Sequence, residues 1–168
     1  MDMAHFSFCN FPFILEPAAK SIILRLDAMY QQSQEQKAVL KGLFESNSLQ
    51  SMLSRGSSSI SLHCNLVIHR KRLLASTLRQ IDERINSNDL KKGLKVKFYG
   101  EAGVDEGGVR KEFFQLIIAL LFDENYSMFT ENKETHLFWF NSHSFESVAE
   151  FRLVGIIFGL AIYNSVIL

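Results

Sequence analysis

Cysteine is scarce in this chain, with Cys9 and Cys64 the only two among 168 residues. They form no CxxC pair and no metal-ligand spacing, and two isolated thiols suit a reducing, cytosolic compartment. Charge of one sign is also missing. Lys plus Arg and Asp plus Glu stand at 18 each, for a formal net charge of zero, which argues against a protein dominated by nucleic acid or an acidic membrane surface. The start, Met1-Asp2-Met3-Ala4-His5, lacks the basic n-region of a secretory signal, and Asn10 and Pro12 interrupt the apolar stretch that follows. The longest apolar run is also too short to cross a membrane. Between Arg152 and Asn164 only eleven residues are uninterrupted, against the roughly 18–20 that a bilayer span requires. A buried core helix is the reading for 151–168. The chain stops at Leu168, inside that apolar run, with no polar tail and no capping glycine, which reads as a piece of a longer domain.

What is present is apolar and aromatic: 47% hydrophobic residues, including 15 Phe. That is enough for one domain with a substantial core. Pro17 suits the first turn of a helix, where its missing N–H would be unpaired anyway. The pattern is helical from Ala18 to about Glu45, with the polar interval Gln31–Lys37 expected on an exposed stretch. Ser46–Ser61 is serine-rich, cannot bury much surface and reads as a flexible surface loop. Leu62, Cys64, Leu66 and Ile68 alternate as one face of a strand. Leu74, Leu78, Ile81 and Ile85 form the stripe of an amphipathic helix. Leu94, Val96 and Phe98 define a second strand, and Leu137–Phe140 a short strand or extended core segment with Trp139 inside. Ser144 is the expected cap of a last helix from Phe145 through Tyr163, with Glu146 and Glu150 near its positive end. The sum is a helix-rich α+β domain with a few short strands.

Several chemical readings fail on spacing. His5, His63, His69, His136 and His143 show neither HxxxH nor HExxH, so no metal site is expected. The loop Gly100–Gly108 lacks both GxGxxG and a Lys-Ser/Thr pair, and Glu101, Asp105 and Glu106 would repel a phosphate, so no nucleotide or other cofactor is expected. A structural account suits this loop. Asp105 is placed to accept from the N–H of Gly107 or Gly108, and the glycine pair allows a tight turn. The following helix is apolar on two sides, with Phe113, Ile117 and Leu120 on one and Phe114, Ile118, Leu121 and Phe122 on the other. Arg110, Lys111 and Glu112 are its charged band. The basic run His69-Arg70-Lys71-Arg72 reads as a solvated strand-to-helix turn rather than a nucleic-acid contact.

One stretch is distinctive: LKKGLKVKFYGEAGVDEGGVRKEFFQLI, which contains GEAGVDEGGVRKEFF at Gly100–Phe114. It resembles the GE-x-x-VD-x-GG-V-x-KEFF signature that opens the N-lobe of HECT-type ubiquitin ligases. MFT (Met128–Thr130), LFWFN (Leu137–Asn141) and GLAIYN (Gly159–Asn164) resemble the same family in order and spacing, as does CNFPFILEPAAKSIILRL upstream. Small HERC-type and E6AP-like members are the nearest in look. The resemblance implies that residues 1–168 are a partial HECT domain, the start of its N-lobe, with 46–61 a loop inside it. It marks Gly100, Glu101, Val104, Asp105, Gly107, Gly108, Lys111, Glu112, Phe113 and Phe114 as structural motif residues. It further implies ubiquitin, E2 enzymes and the remaining N-lobe as partners of the parent ligase. The family's cysteine sits in a T-C-x context within a later C-lobe, which the resemblance places beyond Leu168, and no catalytic residue is expected within the chain. Neither Cys9 nor Cys64 matches that context. Both read as buried packing thiols, and the chain alone is expected to be an inactive scaffold. The alternative is a non-catalytic interaction module that competes with the intact ligase.

Overall fold

The computed structural model describes residues 7–45, 61–102 and 107–167. The loop expectation for 46–61 therefore falls, apart from Ser61, outside the described residues, as do Val104, Asp105 and the proposed Asp105 cap. Leu168, the position beyond which the family's cysteine is expected, also lies outside them. After two short 3-10 turns, helix α1 runs from Pro17 to Glu45 and starts at the expected proline. Strand β1 (His63–Ile68), helix α2 (Leu73–Asp82) and strand β2 (Gly93–Phe98) follow, then helix α3 (Gly108–Leu121). Strands β3 (Phe129–Asn132) and β4 (Leu137–Phe140) form an antiparallel hairpin before helix α4 (Val148–Tyr163). The arrangement is the expected helix-rich α+β one.

β1 and β2 pair in parallel, with Cys64 opposite Leu94, Leu66 opposite Val96 and Ile68 opposite Phe98. Both strands therefore turn the same alternate residues inward, as period-2 geometry requires, and all six are at most 2% exposed. A parallel pair needs its connection to cross over the sheet, and α2 makes it. The face of α2 differs from the expected stripe. Leu73, Ser76, Thr77, Gln80 and Ile81 are buried, Leu74 and Leu78 only partly, and the helix stops before Ile85. The reason is polar. β1 is an edge strand whose outward N–H groups need acceptors, and α2 supplies them. Val67 N–H donates to Gln80 Oε1 at 3.4 Å and His69 N–H to Ser76 Oγ at 3.1 Å. Ser76 and Thr77 hydroxyls donate in turn to the Leu73 carbonyl, so both buried hydroxyls are bonded.

Phe113, Phe114, Ile117 and Leu121 of α3 pack into the core with Leu153, Val154, Ile157, Leu160 and Ala161 of α4. The apolar run from Phe151 thus holds a core helix, and no helix of the described residues is long and apolar enough to cross a membrane. Its cap is Ser147, not Ser144. Ser147 and Glu150 form a capping box, with Glu150 Oε2 accepting from Ser147 N–H at 2.8 Å. The S-x-x-E spacing explains why the helix begins at Val148 rather than Phe145. Ser144 Oγ instead accepts from Glu146 N–H within the preceding turn.

Three further expectations are corrected. The polar interval of α1 is only partly exposed: Gln34 and Lys37 lie in solvent, but Gln32 Nε2 donates to the Tyr163 carbonyl, while the apolar Ile22, Leu26, Met29 and Tyr30 are exposed. Cys9 is exposed and only Cys64 is buried. Trp139 is 73% exposed, because the hairpin meets the core through Phe129, Phe138 and Phe140 and not through Trp139. Phe122 stacks on Phe129 at 4.4 Å and meets Phe138 edge-on at 4.9 Å, whereas no described element covers Trp139 or Leu137.

Candidate functional site

The described residues among those singled out between Gly100 and Phe114 lie at the end of β2 and in the first turns of α3. Gly100 (φ 82°) and Gly107 (φ 104°) both adopt a backbone that a Cβ disfavours. Gly107 immediately precedes α3, Gly108 is its first residue, and Lys111 N–H closes the first turn on the Gly107 carbonyl at 3.2 Å. Phe113 and Phe114 are at most 1% exposed and meet edge-on at 5.2 Å. Lys111 points to solvent.

The two glutamates of the signature share one arginine. Arg70 donates through Nη2 to Glu101 Oε2 at 3.0 Å and through Nη1 to Glu112 Oε1 at 2.7 Å, with Nε also on Glu101. Its guanidinium lies 3.8 Å above the Phe98 ring, a geometry in which a planar cation gains from the ring's negative face. The Arg70 bonds hold Glu101 below the ordinary carboxylate range, and the two glutamates raise Arg70 in return. Arg70 stays exposed, as expected of the turn, but it is paired. It ties the turn after β1 to the loop after β2 and to α3. The acidic loop residues and the basic run had separate expectations in the sequence, and nothing in their spacing announced that they would pair.

The sign of the pH effect follows. A carboxylate with a lowered folded-state value adds stability above its unfolded value, and loses it as pH falls through the folded one. Stability is expected to decline as pH drops below the ordinary glutamate value of 4.5. Arg70→Met keeps a stem over Phe98 but no fork, and its urea midpoint should vary less with pH in that window. A remaining slope is expected from Asp89, lowered by Lys92, and Glu150, lowered by Ser147. Identical pH profiles for the variant and the parent would show that the clamp is not coupled to folding.

The motifs further along also acquire positions. MFT and LFWFN pair as the hairpin, with Phe129 opposite Phe140 and Thr130 opposite Trp139. Asn141 closes it by donating from Nδ2 to the Ser127 carbonyl at 2.8 Å and from its N–H to that of Met128 at 2.9 Å. The end of GLAIYN fastens α4 to the start of β2. Leu94 N–H donates to Asn164 Oδ1 at 2.9 Å, Asn164 Nδ2 donates to the Leu160 carbonyl, and Tyr163 Oη donates to the Lys91 carbonyl at 2.7 Å. Between this point and α1 lies a cleft of about 380 Å³ lined by Gln32, Gln36, His63 and Asn164. Burial and the nearby Lys95 lower the basicity of His63 there.

The cysteines differ in chemistry. Cys64 is 1% exposed, and burial pushes its thiol up to about 11. A thiol at that value is overwhelmingly protonated near neutrality, so it is a packing group and a poor nucleophile. Cys9 sits in a 3-10 turn with its N–H on Ser7 Oγ at 3.2 Å. Among the described residues no group of three or more His, Cys, Asp or Glu side chains is gathered as a metal ion would need.

A βαβ unit followed by a glycine-entered helix, an aromatic hairpin and a capped apolar helix is thus laid over the signature motifs in their order. Residues 115–168, from α3 through α4, match the family model described as HECT-domain (ubiquitin-transferase), and the chain belongs to the HECT-domain family. Among its relatives, human probable E3 ubiquitin-protein ligase HECTD2 is 40% identical over 97% of this chain and 20% of its own length. Human probable E3 ubiquitin-protein ligase HERC3 is 41% identical over 95% of the chain and 15% of its own length. Probable E3 ubiquitin-protein ligase mug30 of Schizosaccharomyces pombe is 36% identical over 96% and 19%. These alignments extend over the signature at 100–114, upstream of the family-model match. The chain spans about a fifth or less of the length of each of these relatives.

Proposed function

We propose that these 168 residues form the opening part of the N-lobe of a HECT-type E3 ubiquitin ligase and serve it as scaffold, not as nucleophile. The reaction of the whole ligase would be transfer of ubiquitin from a charged E2 to a ligase cysteine beyond Leu168, and then from that thioester to a substrate lysine. The cytosol is the compartment in which such a ligase would work. The observation that carries the scaffold reading is the state of Cys64. A ligase cysteine must be reachable by an E2-bound thioester and must attack as the thiolate, whereas Cys64 is sealed between β1 and the core with its thiol pushed up to about 11. Cys9, though exposed, lies outside any T-C-x context. In the scaffold reading, the Arg70 clamp and the Asn164 tie hold β1, β2, α3 and α4 as a base for the remaining N-lobe.

A charging assay with E1, a panel of E2 enzymes and this chain tests the proposal. No DTT-sensitive ubiquitin adduct is expected on the chain or on its Cys9→Ala and Cys64→Ala variants, beside a full-length relative that charges normally. An adduct that reducing agent removes, and that one of the two substitutions abolishes, would give the chain its own nucleophile and overturn the reading.

A second reading, an interaction module that competes with the intact ligase, draws on a separate observation. Leu137, Trp139 and Phe140 on the hairpin are each more than half exposed, an apolar surface of the kind that partner proteins cover. It predicts that adding the chain lowers the activity of an intact HECT ligase. Unchanged turnover would remove it.

A further inference from the structure

Arg70 leaves its basic run for Glu101 and Glu112, and its neighbours do not follow. Among the described residues, the side chains of Lys71 and Arg72 carry neither a hydrogen bond nor an ion pair. They lie instead along a cleft of about 460 Å³ together with His69, Ser76 and Arg79. Arg79 is a cation that the sequence run does not contain. It stands on α2, where the helix returns it to the same side as the turn at 70–72. It is only loosely held, since Glu83 lies 3.7 Å from its Nε and also accepts from Arg84 and Gln80. Among the described residues no acidic side chain lines this cleft. Lys71, Arg72 and Arg79 therefore place three positive charges around one concavity with no carboxylate in its lining to neutralise them.

A second feature adjoins the first. Lys71, Arg72 and Ala75 also border a groove of about 710 Å³ between α2 and α3, floored by Leu74, Leu78, Leu116 and Leu120. Asp123 and Glu150 also line it. The surface thus joins a cluster of cations to an aliphatic groove that also holds two carboxylates. From this juxtaposition we infer that the α2 face is a docking site for a phosphorylated peptide, with the phosphate held by Lys71, Arg72 and Arg79 and an aliphatic side chain a few residues away in the groove. The arginine forks and the lysine ammonium suit a phosphomonoester, which accepts several charge-assisted bonds at once. The aliphatic floor suits a peptide rather than a nucleic acid. Three cations would neutralise only a few phosphates of a strand, and the net charge of zero adds no wider field. Asp123 and Glu150 would repel further phosphates of such a strand, but would accept a basic or neutral peptide segment.

The test uses the whole 168-residue chain and a fluorescein-labelled nonapeptide with one phosphoserine and two leucines three and four residues away. Controls are the same peptide without phosphate and a single-stranded RNA octamer. Phosphate-dependent binding is expected, weakening as salt rises and competed by free phosphoserine. Arg72→Ala and Arg79→Ala should each weaken it by about tenfold, while Lys133→Ala in the β3–β4 turn leaves it unchanged. All three positions are exposed, so thermal melts should overlay, and Lys71→Ala provides a further variant if one does not. Replacing the leucines by serine should weaken binding with the phosphate left in place, which reads the groove separately from the cations. Equal binding of the unphosphorylated peptide, or insensitivity to both arginine variants, would overturn the proposal. RNA binding tighter than phosphopeptide binding would overturn it in favour of a nucleic-acid surface.

Discussion

Replacing Phe113 by alanine is expected to cost the fold about 3–5 kcal/mol, enough to abolish a cooperative melt or move it far down in temperature. Phe113 has no exposed surface and lies in the same core cluster as Phe98, Phe114, Ile117, Leu153 and Ile157. Removing the ring there leaves a cavity that β2 and α4 can fill only by moving. A single such loss can consume much of the stability of a domain this size, which is typically about 5–15 kcal/mol. The companion substitution Trp139→Ala removes a larger side chain, but one that is 73% exposed. It should shift stability by less than about 0.5 kcal/mol. Urea unfolding followed by far-ultraviolet circular dichroism compares the two. If Trp139→Ala proved the more damaging, the hairpin would be packed in solution against something that the fold of these residues does not provide.

Asn164→Ala is the second large effect, expected at about 1–3 kcal/mol. The side-chain oxygen is the acceptor for the N–H of Leu94, a residue 2% exposed, at 2.9 Å. Without it, a part-buried donor at the head of β2 loses its acceptor, and an unpaired donor there costs more than the bond itself is worth. The same amide caps α4 through Nδ2 on the Leu160 carbonyl at 2.9 Å, so the substitution also loosens the helix end. Asn164→Asp separates the two roles. It keeps the acceptor for Leu94 but loses the donor to Leu160, and should fall between the parent and the alanine variant. Hydrogen exchange at the Leu94 amide is the direct readout, with faster exchange expected in Asn164→Ala and near-parental protection in Asn164→Asp. Parental protection in both variants would mean that Leu94 has another acceptor in solution.

Much of this architecture was legible in advance, for reasons that are local. Strand alternation at Cys64–Ile68 and Leu94–Phe98 sorts side chains by face whatever the partner, because successive residues of an extended chain point opposite ways. Pro17 marks the start of α1 through a property of its own backbone. The two-sided apolar pattern of α3 announces a helix inside the domain, and the signature motifs between Cys9 and Asn164 place the chain in its family. The start of α4 also carries a local signal. The S-x-x-E box at Ser147–Glu150 was there to be weighed against Ser144, and it sets the start of α4 because a reciprocal pair of bonds outranks a single capping hydroxyl.

Other features depend on segments distant in the chain, and no window of sequence contains them. Arg70 meets Glu101 and Glu112 across intervals of 31 and 42 residues, and Leu94 meets Asn164 across 70. The buried polar face of α2 is another case. Ser76 and Gln80 count as surface residues until β1 presents an edge with donors to satisfy. Trp139 and Cys9 show the converse, since an apolar side chain is buried only if some other element arrives to cover it. By itself, then, the sequence determined which segments are helix or strand, which of their faces are apolar, and which family they belong to, because these rest on backbone preference and residue order. The tertiary structure decided which charges pair, which polar groups can be buried and which apolar ones stay in water, because each of these is a property of two surfaces that meet only when the chain has folded.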